Sequence, residues 1–196
     1  CMVIIRLLFL LLIPGFFSSP EAEKIGYIEK YKDLAIVEMH RTGIPASIIL
    51  AQGLHESNAG KSNLATRANN HFGIKCKSYW TGSTYFHEDD DLDTSGRLIE
   101  SCFRSYNTDI ESYVDHSNFL LESAHYAKLF TLDKEDFISW AWGLKNCGYA
   151  TDPKYAEKLI KIVNKYELYK FDSAEDPWTS FRENFETDLS QTKESK

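Results

Sequence analysis

Apolar residues in the first third of the chain recur at helical spacing. Over residues 25–40 they lie three or four positions apart, which predicts an amphipathic helix that ends at Gly43. A second helix is predicted to begin with Pro45 in its first turn and to end before Gly60, and its apolar content indicates that it is largely buried. Residues 61–68 predict a short polar helix. The chain therefore opens as a helical assembly.

The hydrophobic pattern changes between residues 80 and 106. Residues 84–87 and 102–106 are short, aromatic and partly alternating, which is typical of strands. They flank residues 88–96, an acidic run that we interpret as the long tip of a small hairpin. Residues 69–75 are predicted to be a loop that enters another short strand.

Helical spacing returns after the hairpin. Asp109 is predicted to cap a helix over residues 110–121, and Asp133 is predicted to cap one over residues 137–144. A last long helix is predicted to start with Pro153 at its first position. The predicted elements are therefore helices on both sides of one small hairpin.

The two ends of the chain differ from its centre. Arg6 is followed by an apolar run over residues 7–17, which has the form of a secretory signal peptide or an uncleaved signal anchor. We therefore expect an exported protein, periplasmic or secreted, that contacts a membrane only if this segment is retained. The expected division is a signal over residues 1–22, one domain over residues 23–171, and a polar tail over residues 172–196 that does not pack.

Composition narrows the possible partners. The chain has 196 residues and a formal net charge of -7, and no basic run offsets this charge, so we expect no nucleic-acid binding. Aromatic residues make up 14% of the chain, which would suit a groove that binds carbohydrate, although most aromatic side chains serve a core. One domain of this size is expected to be a monomer.

An exported protein would expose its cysteines to oxidation. The count of Cys76, Cys102 and Cys147 predicts one disulfide and one free thiol, and their spacing leaves the pairing open. Cys76 follows the predicted short strand, and Cys102 begins the strand that returns from the acidic run. Our hypothesis is a Cys76 to Cys102 bridge at the base of the hairpin, with Cys147 free.

Glu56 is the main candidate for catalytic chemistry. It lies near the end of the apolar second helix and is followed by small polar residues, with no Lys or Arg to complement the helix dipole there. A carboxylate that an apolar helix delivers to the edge of a cleft has its pKa raised by desolvation, as a general acid requires. The alternative is a solvated glutamate that closes a core helix.

The acidic run over residues 88–96 allows three interpretations. The first is a solvated loop, the second is a catalytic carboxylate, and the third is a calcium site. The run lacks the glycine and the distal glutamate of an EF-hand loop. We therefore predict no bound metal and no cofactor.

Six short motifs follow one another along the chain. They are Gly43-Ile44-Pro45-Ala46-Ser47 through His55-Glu56-Ser57-Asn58-Ala59-Gly60, Asn70-His71-Phe72-Gly73-Ile74-Lys75, Trp80-Thr81-Gly82, Cys102-Phe103-Arg104-Ser105-Tyr106, Asp115-His116-Ser117-Asn118-Phe119-Leu120, and Gly148-Tyr149-Ala150-Thr151-Asp152-Pro153 with Tyr155-Ala156. Their order resembles that of the bacterial endo-β-N-acetylglucosaminidases of glycoside hydrolase family 73. The resemblance covers roughly residues 25–170 and implies a mostly helical, lysozyme-like α+β fold with a small β-hairpin lobe. It also implies cleavage of the N-acetylglucosaminyl-β-1,4-N-acetylmuramyl bond of peptidoglycan glycan strands.

The resemblance also implies roles for individual residues. Glu56 falls on the proton donor of the family, and Asp90 or Asp91 falls near its second carboxylate, where the family more often has Glu. We expect the neighbouring Glu88 and Asp93 to be dispensable. The expected groove residues are Tyr149, Trp80, Asn70 and Phe72. Tyr149 matches the family tyrosine that lies near the glutamate and the N-acetyl group of the substrate.

Three other functions are compatible with the sequence. A lytic transglycosylase or muramidase of the same fold would need one glutamate, so the acidic run would not matter to it. A non-catalytic cell-wall protein would keep the groove and lose turnover. A metal enzyme is the least favoured hypothesis, because the candidate ligands form no compact motif. These candidate ligands are His55, His71, His87 and His116.

Overall fold

The structure is a mostly helical α+β fold with one hairpin, which confirms the predicted fold class. The computed structural model describes residues 19–92 and 96–179, and of residues 89–92 it describes the backbone alone. Within these ranges lie six α-helices, two strands and two short 3₁₀ helices. They are α1 Pro20–Thr42, α2 Ala46–Glu56, α3 Asn63–Ala68, β1 Thr84–Leu92, β2 Leu98–Arg104, α4 Asp109–Glu122, the 3₁₀ helix Ala127–Thr131, α5 Phe137–Asn146, α6 Tyr155–Lys165 and the 3₁₀ helix Leu168–Phe171.

The second helix, α2, lies at the centre of the helical body. Residues 46–54 are all buried, and α1, α5 and α6 pack around them. A Cβ atom at Gly53 would lie 2.7 Å from the hydroxyl of Tyr27 on α1 and 2.9 Å from the hydroxyl of Tyr113 on α4. Because only glycine leaves room for both hydroxyls, the neighbouring helices fix the end of α2 that carries Glu56.

The caps of two predicted helices are residues other than those that the sequence suggested. Thr108, and not Asp109, caps α4 by accepting from the backbone nitrogen of Glu111. Asp136, and not Asp133, caps α5, because the Asp133 carboxylate already accepts from the nitrogen of Glu135 in the preceding turn.

The last helix, α6, starts two residues later than predicted, at Tyr155 and not at Pro153. The carboxylate of Asp152 accepts from the backbone nitrogen of Lys154 at 2.9 Å, which keeps Pro153 and Lys154 in a turn. Helix α6 therefore begins at Tyr155, and its buried residues face the core. Pro45 likewise precedes its helix as the cap residue of α2, where its carbonyl accepts from two nitrogens of the first turn.

The hairpin has longer strands and a shorter tip than the sequence predicted. Strands β1 and β2 are antiparallel, and Glu88 pairs with Glu100 before a register shift brings Leu92 opposite Leu98. Most of the acidic run therefore belongs to β1. The predicted strand over residues 72–75 is reduced to a single bridge between Lys75 and Phe103.

Several links attach the hairpin to the helical body. The predicted disulfide between Cys76 and Cys102 is confirmed, with Cα atoms 5.3 Å apart, and Cys147 is free. Arg104 at the end of β2 is buried and forms an ion pair with the partly buried Asp115 of α4 at 2.8 Å. These bonds fix the base of the hairpin, whereas most of its outer residues are exposed.

The two ends of the described chain also pack. Helix α1 begins at Pro20 with Ser19 as its cap, so the first predicted boundary falls inside a helix. Asp172 is buried and accepts two hydrogen bonds from Ser47, and Ala174 packs against the core, so the expectation that nothing packs beyond Phe171 is wrong there.

The predicted signal segment over residues 1–18 lies outside the described residues. Among the helices of residues 19–92 and 96–179, none combines the length and apolarity that crossing a bilayer would require.

Candidate active site

A cleft of about 670 Å³ separates the helical body from the hairpin. One wall is formed by the end of α2, the start of α3 and the loop that precedes α6, and the other is formed by the hairpin. The described carboxylates that line it are Glu56 from α2 and Glu88 from β1. A cleft with two carboxylates on separate supports has the parts that acid-assisted cleavage of a glycosidic bond needs.

Glu56 is the last residue of α2 and is held by one hydrogen bond. The hydroxyl of Tyr155 donates to its Oε1 at 2.8 Å. Burial raises the pKa of Glu56, while the bond from Tyr155 and the charge of Lys158 oppose that rise. A carboxyl group with a raised pKa keeps its proton closer to neutral pH, which is the property predicted for the general acid.

Tyr149 lines the cleft close to Glu56. Its ring stacks on the ring of Tyr155 with centroids 5.6 Å apart. Its hydroxyl is buried and has no hydrogen-bond partner among the described residues. Burial raises the pKa of Tyr149 well above its usual value, and the negative charge of Glu56 adds to that rise. The hydroxyl therefore stays protonated, and the contact of Tyr149 with a bound sugar stays a prediction.

Glu88 is a hairpin carboxylate whose position differs from the one expected for a dispensable residue. It lines the cleft beside His87, although we expected it to be dispensable. Asp90 and Asp91 belong to β1, but their side chains lie outside the described residues. Strand β1 thus brings an acidic segment to the cleft wall, and Glu88 is its described member there.

Phe72 forms part of the cleft lining and is otherwise buried. Its ring stacks on His116 with centroids 3.9 Å apart and meets Tyr113 edge to face. His116 is fully buried, and this burial lowers the pKa of its imidazole to about 3. Phe72 therefore offers an apolar surface that a neutral, packed layer supports.

Asn70 and Trp80 shape the hairpin from outside the cleft lining. The Asn70 amide is buried, donates to two backbone carbonyls and accepts from two backbone nitrogens. Three of these bonds lie within the loop of residues 70–74, and the fourth, to the carbonyl of Arg104, joins that loop to β2. Trp80 donates to the carbonyl of Ser83 and lies under the guanidinium of Arg104 at 4.5 Å. These contacts support the loop and the hairpin, and the expected contact of both residues with a ligand stays a prediction.

The four candidate metal ligands do not converge. Within the described ranges, no group of three histidine, cysteine or acidic side chains could hold a metal ion. His71 instead bonds to the hydroxyl of Tyr27 at 3.0 Å, and His55 packs near the ring of Tyr155. Burial is the main reason that the pKa values of both imidazoles are lowered.

An α+β body whose buried helix presents a glutamate to a cleft, opposite an acidic hairpin, defines a protein of the glycoside hydrolase class. Comparison with known protein families identifies the family within this class. The chain belongs to the glucosaminidase family, because the family model described as mannosyl-glycoprotein endo-β-N-acetylglucosaminidase matches residues 32–168. This match confirms the family resemblance.

Individual relatives agree with that assignment. Exo-glucosaminidase LytG of Bacillus subtilis is 33% identical over 162 residues, which cover 79% of this chain and 57% of the relative. Peptidoglycan hydrolase FlgJ of Vibrio parahaemolyticus is 30% identical, over 79% of this chain and 50% of its own length. The chain thus spans about half the length of these curated relatives.

A solved structure shows the same fold. The peptidoglycan hydrolase from Sphingomonas sp. A1 superposes with a TM-score of 0.62 at 27% identity, over 76% of this chain and 96% of that chain.

Proposed function

We propose that this chain hydrolyses the N-acetylglucosaminyl-β-1,4-N-acetylmuramyl bond of peptidoglycan with Glu56 as the general acid. The observation that carries the proposal is the position of Glu56 in the cleft, where burial raises its pKa. Family membership supports the reaction class, since the family model is described by the cleavage of N-acetylglucosaminyl bonds. No cofactor takes part in this scheme.

The first chemical step is proton donation to the leaving oxygen. Neutral Glu56 donates its proton to the glycosidic oxygen as the bond to the anomeric carbon breaks, and positive charge develops on the sugar ring. The resulting carboxylate is then stabilised by the Tyr155 hydroxyl and by the charge of Lys158. Both groups favour the product of proton transfer without preventing the protonated starting state.

The second carboxylate comes from β1. It either attacks the anomeric carbon or activates the water that attacks it, depending on its separation from Glu56. Glu88 is supported by its place in the cleft lining, and Asp90 and Asp91 are the candidates that the family resemblance suggests. We propose that one of these three residues performs this role.

The substrate is the glycan strand, and Tyr149 recognises it. Its ring lines the cleft together with Phe72, and the two rings offer an aromatic surface to a bound sugar. Two relatives are named for peptidoglycan hydrolysis, which supports this substrate class. Because peptidoglycan lies outside the cytoplasmic membrane, the proposal requires export to the periplasm or the exterior.

Mass spectrometry of the muropeptides released from purified peptidoglycan tests the proposed bond. We expect products with a reducing N-acetylglucosamine end. A reducing N-acetylmuramic acid end would instead identify a muramidase, and an anhydro form would identify a lytic transglycosylase. Binding to the same material without any release would leave a glycan-binding protein.

The length of the products tests whether cleavage is internal. The family model is described as endo-acting, whereas the relative LytG is named an exo-enzyme. We propose internal cleavage, which releases fragments of many lengths early in the reaction. Steady release of one short fragment from the strand ends would assign exo action.

A further inference from the structure

Gln52 lies one helical turn before Glu56 on α2, and its side chain is fully buried. Its Nε2 donates to the hydroxyl oxygen of Tyr155 at 3.0 Å, and that hydroxyl donates to Oε1 of Glu56 at 2.8 Å. Two side chains from α2 and one from α6 therefore form a continuous chain of hydrogen bonds. This chain ends on the proposed general acid.

The chemistry of the three groups sets the direction of the chain. An amide nitrogen can only donate, and a tyrosine hydroxyl has a single hydrogen. Because the hydroxyl of Tyr155 receives a hydrogen bond from Gln52, its own hydrogen points to Oε1 of Glu56. Oε1 is thus occupied as an acceptor, so the proton of neutral Glu56 must be carried by Oε2.

We propose that Gln52 is a positioning residue for Glu56, which fixes the Tyr155 hydrogen on Oε1 and so reserves Oε2 for the proton that is transferred. This inference rests on the proposed function, in which Glu56 is the general acid. Gln52 does not line the cleft and acts on the reaction through Tyr155 alone.

The carbonyl end of the Gln52 amide supports this role. Its Oε1 is buried and has no hydrogen-bond partner among the described residues. A buried amide with an unpartnered carbonyl contributes little to stability, because the missing bond offsets the one that is made. The bond to Tyr155 is therefore the feature of this side chain that explains a polar residue in the most buried helix.

Other titratable groups lie near Glu56 and remain in the Gln52 and Tyr155 variants below. The charge of Lys158 on α6 lowers the pKa of Glu56, and the negative charge of Glu56 raises the pKa of Tyr149. Glu88 lines the same cleft from the hairpin, and His55 precedes Glu56 on α2. The hydrogen bond on Oε1 of Glu56 comes from Tyr155 and from none of these groups.

The test compares Gln52→Met, Tyr155→Phe and the double variant on soluble peptidoglycan strands across pH. We expect Tyr155→Phe to lower kcat by about ten- to a hundredfold, because it removes a hydrogen bond to a charged group. Gln52→Met should lower kcat about five- to tenfold with KM unchanged, because the lost bond matters most while the proton moves. The double variant should match Tyr155→Phe, because Gln52 acts only through Tyr155.

The pH profile separates positioning from a general loss of structure. The Tyr155 hydroxyl stabilises ionised Glu56, so weakening it raises the pKa of that carboxyl. The limb on which activity falls with rising pH should therefore move to higher pH in Gln52→Met and move further in Tyr155→Phe. Ser47→Ala is the matched control, since Ser47 is a buried polar residue of α2 that bonds to Asp172. It should lower the unfolding temperature and leave this limb in place.

Three results would overturn the inference. They are parental kcat in Gln52→Met, an unmoved limb in that variant, and a double variant whose kcat loss is the product of the two single losses. Glu56→Gln is assayed in parallel. If it abolishes turnover while Gln52→Met behaves as the parent, Gln52 has no positioning role and the proposed function stands. If Glu56→Gln turns over normally, the proposed function and this inference both fail.

Discussion

The two walls of the cleft are built on opposite kinds of support. Glu56 ends a helix whose residues 46–54 are all buried, and three other helices pack around it. Glu88 lies on a two-stranded ladder in which Phe86 is 58% exposed and Leu98 is 57% exposed. A two-stranded ladder is at best marginally stable alone, so the position of this wall depends on its attachment to the body.

This difference determines what each carboxylate can do. The core removes water from Glu56, raises its pKa and fixes its direction through Tyr155. Glu88 is exposed and has none of that support among its described contacts. In the proposed mechanism, the buried wall supplies the acid and the exposed wall supplies the second carboxylate.

Replacing Glu56 should have the largest effect on turnover. Glu56→Gln cannot donate a proton to the leaving oxygen, and a positioned acid contributes about 10² to 10⁴-fold to the rate. The amide oxygen can still accept from Tyr155, so the unfolding temperature should change little. Release of reducing ends from peptidoglycan measures the loss. Glu122 is the exposed last residue of α4, and Glu122→Gln should keep the parental rate as a matched control. Near-normal turnover by Glu56→Gln would remove the acid from the mechanism.

Removing the disulfide should loosen the hairpin wall and spare the helical wall. The bridge joins residues separated by 26 positions. In the chain-entropy model, Cys76→Ser with Cys102→Ser costs about 3 to 4 kcal/mol. Hydrogen exchange should then accelerate in β2 and stay slow in α2, and turnover should fall together with hairpin protection.

Cys147→Ser provides the control for this comparison, because Cys147 is free and outside the hairpin. It should leave both exchange and turnover unchanged. If hydrogen exchange accelerates equally in α2 and β2 of the double serine variant, the two walls form one cooperative unit. That result would contradict a helical wall whose stability is independent of the hairpin.

A second buried carboxyl lies under the other end of α2. Asp172 accepts from the backbone nitrogen and the hydroxyl of Ser47, and burial raises its pKa to about 6. Because the folded pKa exceeds the unfolded value near 3.8, its contribution is complete below the unfolded pKa and is lost as pH rises through about 6. The loss is on the order of 3 kcal/mol at most.

Denaturant unfolding between pH 4 and pH 8 measures this effect. The parent should lose stability over that range, and Asp172→Asn should flatten the curve. Asp136 gives the opposite sign, because its pKa is lowered by hydrogen bonds from Ser139 at the start of α5. Asp136→Asn should therefore cost stability at neutral pH and cost less in acid. Equal pH profiles for Asp172→Asn and the parent would contradict the assignment.

The sequence predicted the elements better than their ends. Apolar periodicity identifies α2 and α4 because burial of one face is a property of the whole segment. The caps and turns that precede the later helices depend on which of several polar side chains accepts from which nitrogen. Asp133 and Asp136 are equally good caps by composition, and the three-dimensional turn decides between them.

The candidate site shows the same difference between what a local sequence pattern predicts and what the fold decides. The position of Glu56 at the end of a buried helix could be predicted, because the apolar residues of that helix are its neighbours in sequence. The bond from Tyr155 joins residues 99 positions apart, and no pattern along the chain reveals it. Asn70 and Trp80 belong to motifs that lie near the cleft, but a motif match gives the neighbourhood of a side chain and not its direction.

Hairpin carboxylates should give the smallest losses. We expect Glu88→Gln to lower turnover roughly tenfold, about 1.4 kcal/mol, because an exposed charge stabilises the transition state less than a desolvated one. Binding to peptidoglycan should be unchanged, because the charge matters when the sugar becomes positive. Pull-down with insoluble peptidoglycan measures binding, and released reducing ends measure turnover.

Glu100 supplies the matched control for Glu88, since it pairs with Glu88 across the ladder, is exposed and does not line the cleft. Glu100→Gln should turn over at the parental rate. If Glu88→Gln is also parental while Asp90→Asn or Asp91→Asn is slow, the second carboxylate is the one suggested by the family resemblance. If all three hairpin variants are parental, the exposed wall contributes no charge to the reaction. The N-acetyl group of the substrate would then have to assist Glu56, and the contrast between the walls would be one of structure alone.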